Sequence, residues 1–217
     1  MKRLMLDTAI RLMQSGGTPS VSEVAEAAEV SRATAYRYFP SQAAMVQAAV
    51  DEALGPILDW EPGAGDADDV EARVAALFGF AYHRMEAFEA THRAALLLAL
   101  DQWQRRRAGT LGAEARVVRG NRRGLLKAAV EPLAEKIGRE KAERVTQALS
   151  LLFGIEAIII LKDIWGLDAA AAENVASWAA HALIRAAMAE AAEGETAASM
   201  PAPSETKGAT RPRTKGA

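Results

Sequence analysis

The chain has 217 residues, half of them hydrophobic and a quarter charged, which suffices for a sizeable core and excludes a wholly disordered or collagen-like chain. It contains no cysteine, so disulfides, thiol catalysis and cysteine-ligated zinc or iron–sulfur sites are excluded. Twenty-six basic residues against 28 acidic ones leave a formal net charge of −2, so any affinity for nucleic acid must come from a local gathering of basic and hydroxyl groups.

Alanine and leucine abound and alternating strand patterns are scarce, so the chain reads as all-α with about nine helices. The first spans Arg3 to Gln14, with Leu6, Ile10 and Met13 at helical spacing, and stops at Gly16-Gly17. Asp7 and Arg11 interrupt its apolar pattern, unlike a signal peptide. The most apolar stretch, residues 151–161, carries Glu156 and is too short to span a bilayer, so a cytoplasmic location without membrane contact is expected. Ser20 opens a second helix with Glu23 three residues on, a capping-box pattern, and an apolar face of Val21, Val24, Ala25 and Ala28. Ser31 caps a third helix to about Phe39, where Pro40 stops it; Ser41 opens a fourth through about Leu54.

Gly55-Pro56 and the acidic, Gly/Pro-containing residues 61–69 read as a joint between a domain over 1–55 and a larger one over 56–192. Helices are expected beyond it at about 70–89, 90–107, 114–136, 140–165 and 169–192. Residues 193–217 have almost no apolar bulk and read as a disordered tail with a basic end.

The third helix carries the chemistry. Ser31, Arg32, Thr34, Tyr36, Arg37 and Tyr38 crowd it without an acid, while Ala35 and Phe39 share a buried side with Val30. Ala33, Thr34, Tyr36 and Arg37 then face outward, with Arg32 and Tyr38 at the margins. An α-helix fits a major groove, where Arg32 suits guanine O6 and N7 and the Ala33 methyl suits a thymine methyl. The hydroxyls of Thr34, Tyr36 and Tyr38 suit phosphates, as do the helix N-termini at Ser20 and Ser31.

The run VSRATAYRYFPS, preceded by V-x-x-V-A-E-A-A, resembles the DNA-binding domain of the TetR (tetracycline-repressor-like) family of transcriptional regulators, over about residues 4–50. The resemblance implies an N-terminal three-helix helix-turn-helix domain joined to a larger helical domain that binds a small-molecule effector and dimerises through its last two helices. It implies a ligand-responsive repressor, held on a palindromic double-stranded DNA operator as a homodimer and released by the effector. Two positions depart from the family pattern. Glu29 stands where a turn glycine is usual, and Gln42 stands where a lysine is common, leaving an uncharged donor as the expected phosphate contact.

For the dimer interface the candidates are Ile158, Leu161 and Trp165 from one helix and Trp178, Ala182 and Arg185 from the next. For the effector they are Phe78, Tyr82 and Met85 at helical spacing, Trp103 and Phe153, with Arg119 and Glu156 as polar anchors. Two other classes stay open: a carrier protein that no longer reads DNA, and a helical enzyme using His83 or His92. There is no Gly-rich phosphate loop, nucleophile elbow or two-His metal motif, so neither catalysis, metal nor cofactor is expected.

Overall fold

The computed structural model describes residues 1–63, 68–118 and 120–199, with residues 194–199 described by backbone alone. Among them are ten α-helices: α1 (Lys2–Gln14), α2 (Val21–Ala27), α3 (Arg32–Tyr38), α4 (Gln42–Leu58), α5 (Val70–Ala87), α6 (Glu89–Arg107), α7 (Arg122–Ile137), α8 (Arg139–Leu149), α9 (Ile155–Ile159) and α10 (Ala169–Ser199). A π-helical turn, Ile160–Ile164, continues α9.

Two hydrophobic cores organise them. In the first, Met5 and Met13 of α1, Val24 of α2, Ala35 and Phe39 around α3, and Met45 and Val46 of α4 are buried together. Ala94 and Leu98 of α6 complete this core, so the long body of the protein reaches into the N-terminal bundle. The second core gathers α5, α7, α8, α9 and α10 around Phe78, Leu126, Leu133, Leu149 and Ile184. Ile57 from the end of α4 joins it.

The structure departs from the sequence reading in four places. First, Gly55-Pro56 does not end α4, which runs through both to Leu58. Proline lacks the N–H that would bond the carbonyl of Glu52 one turn back. Arg84 of α5 supplies the missing donor: its Nη2 donates to the Glu52 carbonyl at 3.1 Å and its Nε to that of Ala53 at 2.8 Å.

Second, the helix expected from about 114 begins at Arg122 instead. Buried Gln102 of α6 holds the preceding segment irregular, donating to the Ala115 carbonyl at 2.9 Å and accepting from the Val117 N–H at 3.0 Å. Third, the single helix expected over 140–165 is two. The chain breaks between Leu149 and Ile155, at Gly154 with φ +138°, a conformation open to glycine. The Arg122 guanidinium lies 2.9 Å from where a Cβ on Gly154 would sit, donating to the Ser150 carbonyl at 3.0 Å and to Glu156 at 2.7 Å. Fourth, α10 continues past residue 192 to Ser199, and the rest of the expected tail, 200–217, lies outside the described residues.

Candidate nucleic-acid interface and effector cavity

Local sequence sets the reading head. The Ser20 hydroxyl accepts from the Glu23 N–H at 3.2 Å while the Glu23 carboxylate accepts from the Ser20 N–H at 2.7 Å, closing the expected capping box. That pair of bonds holds the Glu23 carboxyl below the usual range, the backbone donor contributing most. Between α2 and α3 the Val30 N–H returns to the Ala25 carbonyl at 2.8 Å, which makes the turn tight. The tightness forces Glu29 to φ +53°, the left-handed region that glycine occupies without strain. Ser31 then caps α3 by accepting from the Thr34 N–H at 3.2 Å.

On α3, Ala35 and Phe39 are buried and Val30 packs against the same core, as the spacing predicts. Arg32, Ala33, Tyr36 and Arg37 are exposed; Thr34 and Tyr38 are half-buried. Arg32 makes no ion pair or hydrogen bond among the described residues, whereas the Arg37 guanidinium stands 5.3 Å from the Tyr38 ring centre. Tyr36 reaches across to α2, its hydroxyl 3.4 Å from the Ser22 hydroxyl. Gln42 behaves differently from its sequence assignment. Its amide nitrogen donates to the carbonyls of Thr18 at 2.9 Å and Pro19 at 3.1 Å, so it braces the α1–α2 loop and is not held out toward a phosphate.

Behind the head lies a cavity of about 100 Å³. Leu54, Ile57 and Leu58 of α4 form one wall, with Met85 of α5, His92 of α6, Arg122 and Leu125 of α7, and Phe153 closing the rest. Met85 and Phe153 are therefore where the sequence reading put them. Phe78 and Tyr82 are not: both are buried in the second core, with ring centres 6.0 Å apart and Phe78 5.3 Å from Phe153. Tyr82 donates to the Leu152 carbonyl at 2.6 Å, and burial pushes its phenol well above the ordinary range. Trp103 is a second correction, since it points to solvent with the Arg107 guanidinium 5.9 Å from its ring centre. Glu156 does not line the cavity but holds Arg122, which does; Arg119 lies outside the described residues.

The sequence reading left His92 as a candidate only for an enzyme. Its signal was a lone imidazole among Ala94, Ala95 and Leu98 on an apolar helix face. In the structure it is buried, and its Nε2 has no hydrogen-bond partner among the described residues. Burial, reinforced by the charge of Arg84, pushes its pKa down to about 4, so the ring is neutral near pH 7.

At the far end, Ile158 is 3% exposed and belongs to the monomer core, which removes it from the expected interface. Leu161 is half-buried against the same core. Trp165 and Trp178 are each 72% exposed, and Ala182 is exposed. Ile160, Ile164, Val175 and Met188 add exposed apolar surface to α9, its π-helical turn and α10. Arg185 pairs within the chain, 2.8 Å from Glu71, and its hydrogen bonds lower the Glu71 carboxyl. No three His, Asp or Glu side chains gather among the described residues, and no helix there is long and apolar enough to cross a membrane.

Residues 5–49 match the family model described as bacterial regulatory proteins, tetR family. No curated protein matches the chain significantly in sequence. The fold is similar to the crystal structure of a tetR-family transcriptional regulator from Streptomyces coelicolor, at 18% identity and a TM-score of 0.62, covering 90% of this chain and 85% of that one.

Proposed function

The chain belongs to the tetR family of bacterial regulatory proteins, and from that premise we propose that it represses transcription as a homodimer on a palindromic operator until a small-molecule effector releases it. One observation carries the effector half of this reading: α4 serves two masters. Its first half, with Ala43 and Val46, packs beneath Phe39 of the reading head. Its second half, with Leu54, Ile57 and Leu58, walls the cavity.

A molecule that fits the cavity better when α4 is displaced shifts the protein toward that arrangement, by its difference in affinity for the two states. A second path runs through Gln47 of α4, whose side-chain oxygen accepts from the Val118 N–H at 2.9 Å, while Val118 itself lines the cavity. For the DNA half, α3 enters a major groove with Arg32 toward a guanine edge and Ala33 toward a thymine methyl. Tyr36 and Arg37 meet phosphates. The exposed tryptophans of α10 and the π-helical turn support two-fold pairing, which spaces two reading heads for two half-sites.

The test is fluorescence anisotropy of the full chain on the intergenic DNA beside its own gene, over rising salt, with a scrambled duplex as control. Tighter binding to the native duplex that weakens with salt is expected. Equal binding to both duplexes, on this DNA and on fragments selected from the whole genome, sinks the reading.

A further inference from the structure

Resting on that regulator reading, we infer that the effector is a small, uncharged, largely apolar molecule with one hydroxyl or carbonyl group, held in the cavity by a hydrogen bond to His92 Nε2.

The size comes from the cavity. At about 100 Å³ it is of the order of the ~150 Å³ apolar cavities known to hold benzene, which points to a single ring or its equivalent. The apolar character comes from its walls: Leu54, Ile57, Met85, Leu96, Leu125 and Phe153 offer only hydrocarbon, sulfur and ring surface.

The single polar group comes from His92. A buried nitrogen without a partner is costly, and among the described residues nothing meets Nε2. One ligand group answers it in either tautomer. A hydroxyl donates to an unprotonated Nε2, and a carbonyl accepts from a protonated one.

The lack of charge follows from the neighbours. Arg122, the cation in the lining, is already committed to Glu156 at 2.7 Å and the Ser150 carbonyl at 3.0 Å, so an anion would have to displace an ion pair. Arg84, the other cation felt by His92, is bonded to the Glu52 and Ala53 carbonyls and lies 4.4 Å from the Phe88 ring centre. Its charge opposes a cationic ligand. The imidazole is itself neutral near pH 7, so the cavity offers hydrogen bonding without an uncompensated charge.

Phenol, benzene and benzoate are the probes, titrated calorimetrically into the full-length protein and its His92→Leu variant. The preference for phenol over benzene is expected to fall at least five-fold in the variant, with benzoate bound more weakly than phenol by the unaltered protein. An unchanged preference, a higher affinity for benzoate, or binding of none of the three overturns the inference. A readout independent of the variant's folding is the imidazole nitrogen resonance of His92 in the unaltered protein. Phenol must move it while leaving those of His83 and His181 in place, and a stationary resonance is decisive against the contact. Operator affinity measured alongside separates the two claims. Specific DNA binding without probe binding removes this inference and leaves the regulator. Probe binding through His92 to a protein that does not select its operator removes the regulator, and with it the effector role.

Discussion

Arg84 stands in for a hydrogen that Pro56 lacks: its guanidinium donates to the Glu52 carbonyl, the acceptor left open where α4 passes through proline. The same side chain ties the wall of the cavity to α5. Arg84→Met should therefore cost about 1.5–3 kcal/mol, the range for a hydrogen bond to a charged group. In a Pro56→Ala background the helix regains its own donor, and the cost should shrink by about 1 kcal/mol. Urea denaturation of the four proteins closes the cycle; strictly additive losses would show that the Glu52 carbonyl does not depend on Arg84.

Glu29 occupies a left-handed turn that costs a side chain about 1–2 kcal/mol relative to glycine. Glycine also frees the unfolded chain, so Glu29→Gly should gain a net of about 0.5–1 kcal/mol. Glu29→Ala keeps the strain and should gain nothing. Thermal denaturation distinguishes them, and equal melting temperatures would refute the strain. On DNA both variants lose an acid beside α3, so both should bind more tightly at low salt.

Arg32 is exposed and unpaired among the described residues, which leaves its guanidinium available to a base edge. Arg32→Ala should weaken specific binding by about 1–3 kcal/mol and relax preference at one base pair per half-site. Tyr36→Phe should lower affinity evenly across sequences. Binding to a set of single-base operator variants reads both effects, and an unchanged preference in Arg32→Ala removes that residue from direct readout.

Trp178 is the largest exposed apolar side chain on α10, and a desolvated tryptophan commonly anchors an interface. Trp178→Glu should weaken self-association by about 2 kcal/mol or more, roughly thirty-fold in the dissociation constant. Sedimentation velocity over a concentration series measures it. A variant that sediments like the unaltered protein at every concentration places the dimer contact elsewhere.

His92 gives the fold a dependence on acidity. Its folded pKa of about 4 lies below the ordinary 6.5, so between these values the unfolded chain takes the proton first. Stability should be flat above about pH 6.5 and decline toward pH 4, by up to about 3 kcal/mol from this group. Glu89 also titrates at the acid end: burial alone would raise it, but hydrogen bonds from Lys162 and Arg93 outweigh that and lower it. The difference between the unaltered protein and His92→Leu isolates the imidazole. Parallel stability curves from pH 7 to pH 4 would contradict its burial in a neutral state.

The reading head was legible because its signals are local. Ser20 with Glu23, Ser31 with Thr34, and the Val30, Ala35 and Phe39 spacing are each settled within a few residues. The glycine-like conformation at Glu29 was legible too, from its place in the motif. What escaped was decided at a distance. A single glycine at 154 is compatible with one long apolar helix until Arg122, far back in the sequence, is seen lying on it. Residues 114–118 have helix-forming composition, which the hydrogen bonds of Gln102 override. A helix apolar on every side does not reveal which side the core takes, so Ile158 and Trp178 looked alike. Similarly, Phe78 and Trp103 were both aromatic residues on long helices, yet one is enclosed and the other faces water.

Ala94 and Leu98 of α6 sit inside the first core, which makes the N-terminal bundle a poor exchangeable part. A chimera that grafts residues 1–55 onto another body takes a bundle with a face cut open, and leaves its donor with a helix exposing two core side chains. Transplanting operator choice between such proteins requires carrying the matching face of α6 as well, or redesigning α3 in place. The recognition surface and the scaffold behind it are therefore constrained to change together.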